Sequence, residues 1–282
     1  MKPPNDAPSF FNFKKIQSNV IINKKLIKKV FAKKIFLIKK LIDYQTRLTD
    51  LYFRQMLAKQ QLSEVYHNNT VENSALLNQI NLSYSIMMLI ESGFHGSARV
   101  LLRQFFEFLL VGKFSEFDDG NILRKWESKI NNNREFDINL SRDVLHKINP
   151  QKDIERLKTM WSTLSDVSHP TKYAQQIPPI SPTGDQVEWL KLNYVNIHFT
   201  LDLFFMLLCM NQHLLTNHWG RKTRGWYMGY HKDPMEFWKK EKNFKTKIKT
   251  TISEYFQFNK QYKTANIELK KVIYQYKQKW TT

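Results

Sequence analysis

The sequence predicts an all-α fold, a helical bundle with long basic amphipathic helices at its N- and C-terminal ends. Apolar residues recur at helical spacing in most segments, and no segment shows sustained strand alternation. The breaks between the segments are short and contain Gly, Asn or Pro. A chain of 282 residues with 42% hydrophobic residues is long enough to bury a sizeable core.

The N-terminal part predicts a flexible arm over residues 1–20, followed by a long amphipathic helix whose register continues towards Tyr66. The apolar face of this helix is formed by Leu26, Ile27, Val30, Phe31, Ile35, Ile38, Leu41 and Ile42. The opposite face carries Lys24, Lys25, Lys28, Lys29, Lys39 and Lys40. Such a helix can lie on a membrane, bind phosphates, or pack on the core with a solvated lysine face.

The middle of the chain predicts further helices, at roughly 73–92, 96–118, 120–131, 139–148 and 151–168. A loop with three prolines follows at 175–185, because proline removes backbone donors. A second long apolar helix runs from about 186 to 215. We therefore assign residues 21–219 to one helical core domain.

The C-terminal part, residues 220–282, predicts a basic helical extension. It opens with an irregular connector, GRKTRGWYMGYHKDP, whose glycines and proline break regular structure. Apolar residues at helical spacing over 235–280 then predict two basic amphipathic helices. Aromatic and basic side chains in the connector are able to stack bases and neutralise phosphates, although a turn packed by aromatics is an equal alternative.

The formal net charge of +19 is concentrated at the two ends of the chain. Residues 1–60 carry 14 basic against 3 acidic side chains, a balance of +11, and residues 221–282 carry 16 against 5, also +11. The 160 residues between them carry 14 against 17. This distribution favours contact with a polyanion, either nucleic acid or an anionic membrane surface. The alternative is an AT-rich genome, which enriches lysine without any partner.

Cysteine usage and motif searches narrow the class of protein. The single cysteine, Cys209, excludes an internal disulfide and any multi-cysteine metal site, and it favours a reducing, cytoplasmic location. Its apolar surroundings predict a small buried side chain. The sequence has no motif for a metal or nucleotide cofactor, so we expect neither. The N-terminus lacks an apolar signal core, and the eight-residue apolar run 203–210 is too short for a membrane span.

Three polar groups lie in otherwise apolar helices. Arg99, Arg103 and Glu107 share one stripe, and an Arg103–Glu107 pair is either a structural clasp or part of a working site. His198 and Asp202 are also four residues apart, and we expect them to form a satisfied core pair. If these helices are neighbours, their polar groups predict a shared pocket.

The third polar group is the segment WSTLSDVSHPTKY, residues 161–173. Ser165 and His169 share a helical face, and Asp166 lies three residues before His169. Pro170 places the imidazole at a helix C-terminus, where the helix dipole favours its protonated form. Such a histidine is either a general acid or base, or a plain helix cap.

Two short motifs resemble a family of helical bacterial proteins. They are G-x-x-x-x-A-x-x-L-x-R-x-x-x-E, which ends at Arg103 and Glu107, and L-S-x-x-x-H-P, which contains Ser165 and His169. The wider group is similar to the HEPN nucleases and toxins, and the resemblance covers roughly residues 74–215. It implies an all-helical fold and a metal-independent ribonuclease of a defence or toxin system, with its site at a homodimer interface.

The resemblance gives roles to individual residues. HEPN ribonucleases use an R-x(4–6)-H motif. Positions 162–164, where this motif would put an arginine before His169, hold none, so the resemblance leaves the role of the cation to Arg103. His169 is then the general acid and base, and Glu107 orients one of the two. The predicted site contains Arg103, Glu107, Ser165, Asp166 and His169.

The predicted nucleic-acid contacts are Lys24, Lys25, Lys28, Lys29, Arg221, Lys222, Arg224 and Trp226. RNA is favoured as the polyanion. Two further functions stay open at this point. One is a non-catalytic module that docks on nucleic acid or an anionic membrane, and the other is a protein-interaction subunit whose terminal helices pair with partners.

Overall fold

A computed structural model describes residues 13–60, 70–114, 162, 164–165, 185–216 and 234–260. Six long helices make up these ranges: α1 (Phe13–Val30), α2 (Ala32–Gln60), α3 (Thr70–Glu91), α4 (His95–Phe114), α5 (Gln186–Leu214) and α6 (Pro234–Lys260). No strand occurs in any of them. The predicted all-α class is therefore confirmed for the described part of the chain.

The N-terminal amphipathic segment forms two helices instead of one. They meet at Phe31, whose backbone N–H donates to the Ile27 carbonyl at 2.8 Å and whose carbonyl accepts from Ile35 at 2.9 Å. Helical hydrogen bonding therefore continues almost without interruption through the junction. Because α1 begins at Phe13, residues 13–20, which the sequence placed in a flexible arm, form its first two turns.

The apolar stripe of α1 and α2 is buried as the periodicity predicts. Its fully buried members include Leu26, Ile27, Val30, Phe31, Ile38 and Leu41. The lysines of the opposite face are exposed, with Lys40 half-buried. A helix buries its apolar stripe against neighbouring helices to remove that surface from water, and the lysines remain on the outside.

A tight turn joins α3 to α4. Gly93 has φ +88°, a left-handed conformation that glycine adopts without the penalty of a Cβ. Phe94 N–H donates to the Leu89 carbonyl at 2.8 Å and Gly93 N–H to the Ile90 carbonyl at 3.1 Å, the paired bonds of a Schellman cap. This turn folds α4 back along α3, and the two helices pack together over their length.

Helix α5 lies at the centre of the bundle. It begins at the Asp185 cap, whose side chain accepts a hydrogen bond from Val187 N–H at 2.8 Å. Helices α1 to α4 all contact it. The rings of Phe105 on α4 and Phe204 on α5 meet edge to face, with centroids 6.2 Å apart. Much of the apolar content of α5 is buried in the core, whereas Leu192, Val195, Phe199 and Met206 are exposed.

Helix α6 packs antiparallel along α2. Tyr52 near the end of α2 donates to Glu241 at 2.8 Å, whereas Lys40 near its start pairs with Glu254 at 3.7 Å. The Tyr255 ring also stacks on Phe205 of α5, with centroids 3.6 Å apart. The first of the two predicted basic C-terminal helices is therefore present as α6 and is anchored to the core.

The remaining sequence predictions lie outside the described residues. These are the helices at 120–131 and 139–148, most of the helix at 151–168, the proline-rich loop before Asp185, the connector at 220–233 and the second C-terminal helix.

Candidate functional site

The Arg103–Glu107 pair forms as the spacing predicts. Arg103 Nε lies 3.2 Å from Glu107 Oε1, with the arginine side chain largely buried and the glutamate half-exposed. The guanidinium is thus held at the edge of α4, where it is oriented by its own helix. His169 and Asp166 lie outside the described residues, and Ser165 is helical and half-buried.

Arg99, one turn before Arg103, is a clasp between α4 and α5. Its side chain is 1% exposed. Its Nε donates to Thr200 Oγ1 at 2.9 Å, and its Nη2 donates to the Asn196 carbonyl at 3.0 Å. The guanidinium also lies 5.4 Å from the centre of the Phe199 ring. These contacts give Arg99 a structural role in joining the two helices.

His198 and Asp202 form the predicted pair, but within a larger cluster drawn from three helices. His198 Nδ1 lies 2.9 Å from Asp202 Oδ2. Asp202 Oδ1 accepts from Lys34 Nζ of α2 at 2.6 Å, from Tyr255 OH of α6 at 2.7 Å and from Asn259 Nδ2 at 3.1 Å. We call these five residues the Asp202 cluster. It links α2, α5 and α6 through a single carboxylate.

Lys34 is fully buried in the Asp202 cluster, with a side chain that is 0% exposed. Besides Asp202, its Nζ lies 3.0 Å from His198 Nε2. The same Nζ lies 3.4 Å from His198 Nδ1, so the ammonium contacts both ring nitrogens and does not lie along the lone pair of either one. Asp202, His198 and Lys34 are therefore in mutual contact.

The electrostatics of the Asp202 cluster follow from its burial. Burial lowers the pKa of Lys34 below its ordinary value, against the opposing hydrogen bond and charge of Asp202. Burial also raises the pKa of Asp202, but the hydrogen bond with His198, the charge of Lys34 and the bonds from Lys34 and Tyr255 outweigh it. The net result is a pKa well below the usual range, so the carboxylate is ionised at neutral pH.

Arg99 and the Asp202 cluster contact different sides of α5. Arg99 meets α5 at Asn196 and Thr200. Asp202 is two residues beyond Thr200, which turns its side chain about 200° around the helix. The Asp202 cluster therefore faces α2 and α6, on the side of α5 away from α4. The pocket that the sequence predicts from all three polar groups stays a prediction, because Asp166 and His169 lie outside the described residues.

The predicted lysines of α1 are all exposed. Lys28 lies 3.8 Å from Glu91 of α3, and Lys39 of α2 contacts the same carboxylate. Lys24 and Lys25 make no ion pair in the ranges that the structure describes. The other predicted nucleic-acid contacts, Arg221, Lys222, Arg224 and Trp226, lie outside those ranges.

A groove runs along the first half of α6. A cavity of about 1020 Å³ lies against this stretch, and its lining among the described residues comes from α6 alone: Met235, Trp238, Lys239, Lys242, Lys245 and Lys249, with Glu236, Glu241 and Thr246. We call it the α6 groove. The two glutamates are already neutralised, because Glu236 pairs with Lys240 and Glu241 with Lys245, each at 2.6 Å. Lys239, Lys242 and Lys249 make no ion pair within the described part of the chain.

Sequence reasoning missed both Lys34 and the α6 groove. Lys34 was one lysine among many, but it falls on the apolar stripe between Phe31 and Ile38, at i+3 and i−4. A charge in register with a buried stripe is the signal that would have found it. The groove lysines follow Trp238 at helical spacing. A tryptophan near several basic residues is also the combination that predicted a nucleic-acid contact at Trp226.

Two observations bear on the class of protein. Helix α5 is long and apolar enough to cross a membrane by length and composition, and half of that stretch is buried inside the protein, as in a central core helix. Cys209 on α5 is partly buried, and burial raises the pKa of its thiol to about 12.

A comparison of the chain with known protein families, characterised proteins and solved structures finds no match.

Proposed function

We propose that this chain binds RNA through the α6 groove. The observation that carries the proposal is the row of lysines along one face of α6, of which Lys239, Lys242 and Lys249 are not neutralised by the nearby glutamates. A groove lined by ammonium groups attracts a phosphate backbone and releases its counterions on binding. The balance of +11 over residues 221–282 extends the same charge along the C-terminal part of the chain.

The packing of the basic helices favours nucleic acid over an anionic membrane. An amphipathic helix that binds a membrane inserts its apolar face among the lipids. The apolar face of α1 is instead buried in the protein, where Leu26, Ile27 and Val30 are almost inaccessible to solvent. The apolar face of α6 is likewise buried, at Phe237 and Ile248. Outwards these helices carry many lysines, with separate exposed apolar side chains among them, at Ile21, Met235, Trp238 and Phe256. Such a mixed surface suits phosphates better than acyl chains.

Removing two of the groove lysines should weaken RNA binding and its dependence on salt. In the Lys242→Gln/Lys249→Gln double variant, we expect the slope of log K against log salt concentration to fall by about 1.4, since each lost phosphate contact on a single strand contributes about 0.7. The affinity at low salt should fall about tenfold or more. Fluorescence anisotropy of a labelled RNA, titrated at several salt concentrations, measures both quantities.

The matched control is Arg47→Gln/Arg54→Gln, which removes the same net charge from the exposed face of α2. Both arginines are in ion pairs four residues apart, with Asp43 and Asp50. An equal loss of affinity in the two double variants would show that net charge alone attracts RNA, and no binding by the wild-type protein would remove the proposal altogether.

RNA cleavage is a second candidate function, and the orientation of Arg103 by Glu107 favours it. A guanidinium held in place is suited to stabilise negative charge that develops on a phosphate, and the HEPN-like motifs make His169 the matching general acid and base. We expect the wild-type protein to degrade RNA in the presence of EDTA and His169→Ala to lose that activity at least 100-fold. Equal background cleavage by the two proteins would eliminate this candidate.

A further inference from the structure

Two large aromatic side chains on α6 are left half-exposed on one line along the helix. Trp238 is 47% exposed and Phe256 is 50% exposed. They are eighteen residues apart, which is five helical turns, so they project from the same side about 27 Å apart. Helix α6 packs on the core mainly through a different face, at Phe237, Ile248 and Tyr255, and of the two exposed rings Phe256 also meets the buried Phe205 ring edge to face at 5.5 Å.

Three lysines of the α6 groove lie on the same line between the two aromatic rings. Lys242, Lys245 and Lys249 follow Trp238 at i+4, i+7 and i+11. At 100° per residue these positions fall within about 40° of the Trp238 direction. They lie roughly 6, 10 and 16 Å from Trp238 along the helix axis. The groove therefore combines an aromatic platform at its end with a row of cations directed along one axis.

From this arrangement we propose that the α6 groove binds single-stranded RNA, with an unpaired base stacked on Trp238 and the following phosphates on Lys242 and Lys249. The inference rests on the proposed function and adds the class of substrate. In a duplex both faces of each base are covered by its neighbours, so an indole finds nothing to stack on. An unpaired base offers a free face, and stacking of this kind tolerates any sequence.

The lysines alone would serve single-stranded and double-stranded RNA alike, because both carry a phosphate backbone. Trp238 is the element that distinguishes the two forms. The exposed half of the Trp238 indole leaves apolar area in water, whereas a base that covers it removes that area from water beside a row of phosphate ligands. The discrimination between the two forms of RNA therefore depends on one side chain.

The test compares a 12-nucleotide oligouridine with a 12-base-pair RNA duplex, using the full chain and three variants. In Trp238→Ala we expect affinity for the single strand to fall about tenfold, within the range that base–aromatic stacking contributes, and affinity for the duplex to stay within twofold. Trp238→Phe should recover most of the loss. Lys242→Gln/Lys249→Gln should weaken both complexes.

The matched control is Phe36→Ala on α2. Phe36 is 57% exposed and lies 5.8 Å from Lys33 and 5.9 Å from Lys40, so it is also an exposed ring among lysines, but outside the groove. The Phe36→Ala variant should change the affinity for neither the single strand nor the duplex. Circular dichroism and thermal melting establish that each variant is folded.

The outcomes separate the inference from the proposed function. If Trp238→Ala weakens the single strand and the duplex equally, or neither, while the lysine variant still weakens both, the groove binds RNA without base stacking and the inference fails alone. If the lysine variant binds both as the wild type does, the proposed function fails. Loss of single-strand affinity in Phe36→Ala to the same extent would place the stacking elsewhere and overturn the inference.

Discussion

Replacing Asp202 by asparagine should lower the free energy of unfolding by about 3 kcal/mol at neutral pH, because it leaves the buried ammonium of Lys34 without a counter-charge. The amide has the shape of the carboxylate, so its hydrogen-bonding neighbours Tyr255 and Asn259 still have a group to contact. What is lost is the negative charge 2.6 Å from Lys34 Nζ. Urea denaturation followed by circular dichroism measures the change.

A second substitution tests whether the uncompensated cation causes the loss. Lys34→Met removes the ammonium and fills a similar volume with apolar atoms, so the double variant Lys34→Met/Asp202→Asn should be more stable than Asp202→Asn alone. The matched control is Asp43→Asn, which breaks an exposed pair with Arg47 and should change stability by less than about 0.5 kcal/mol. A double variant less stable than Asp202→Asn would show that Lys34 contributes through packing and hydrogen bonds instead.

The stability of Asp202→Asn should also depend on pH, because the charge of Lys34 is then uncompensated. Burial already lowers the pKa of Lys34, and loss of the carboxylate lowers it further. Between that lowered pKa and the ordinary value of 10.5, the unfolded chain binds more protons at this lysine than the folded chain does. Stability therefore rises with pH over this window, and the deficit of Asp202→Asn should shrink as the pH approaches 10.

The fold was largely predictable from the sequence because apolar spacing determines which helix face is buried. The predicted helices at 73–92, 96–118 and 186–215 correspond to α3, α4 and α5 within a few residues. The break at Phe31 was not predictable, since Phe31 itself continues the apolar stripe and helical hydrogen bonds persist on both sides of it. Neither a glycine nor a proline marks this junction.

The candidate site was only partly predictable, because local spacing reports pairs within a helix and not contacts between helices. The i, i+4 rule gave both Arg103–Glu107 and His198–Asp202 correctly. It did not say that Lys34 and Tyr255, 168 and 53 residues away from Asp202, would complete the second pair. Nor did it say that Arg99 and the Asp202 cluster would contact different sides of α5.

Acid should destabilise the protein through one buried imidazole on α4. His95 is 1% exposed, with Nδ1 3.2 Å from the Gly93 carbonyl and its ring 6.1 Å from that of Trp189. Burial and the positive charge of Arg99, one turn further along the helix, lower the pKa of His95 to about 4, against a smaller opposing effect of the Gly93 carbonyl. The neutral tautomer with its proton on Nδ1 donates to that carbonyl and fits the site.

The sign of the pH effect follows from the difference between the folded and unfolded states. In the unfolded chain this histidine binds its proton near pH 6.5, whereas in the folded chain it does so near pH 4. The stabilising contribution is complete above pH 6.5 and is lost as the pH falls towards 4, because the unfolded state takes up the proton first. A difference of about 2.5 pKa units corresponds to about 3 kcal/mol.

Urea midpoints measured from pH 7 to pH 4 for the wild type, His95→Gln and His213→Gln test this prediction. Between pH 7 and pH 4, we expect the free energy of unfolding of the wild type to lose about 3 kcal/mol through His95. The profile of His213→Gln, which replaces an exposed histidine, should be equally steep, whereas that of His95→Gln should be clearly flatter. The cost of His95→Gln at pH 7 should be only about 1 kcal/mol, because glutamine is neutral and able to donate to the Gly93 carbonyl. Parallel profiles for all three proteins would mean that the imidazole takes up its proton as readily folded as unfolded, which its burial beside Arg99 opposes.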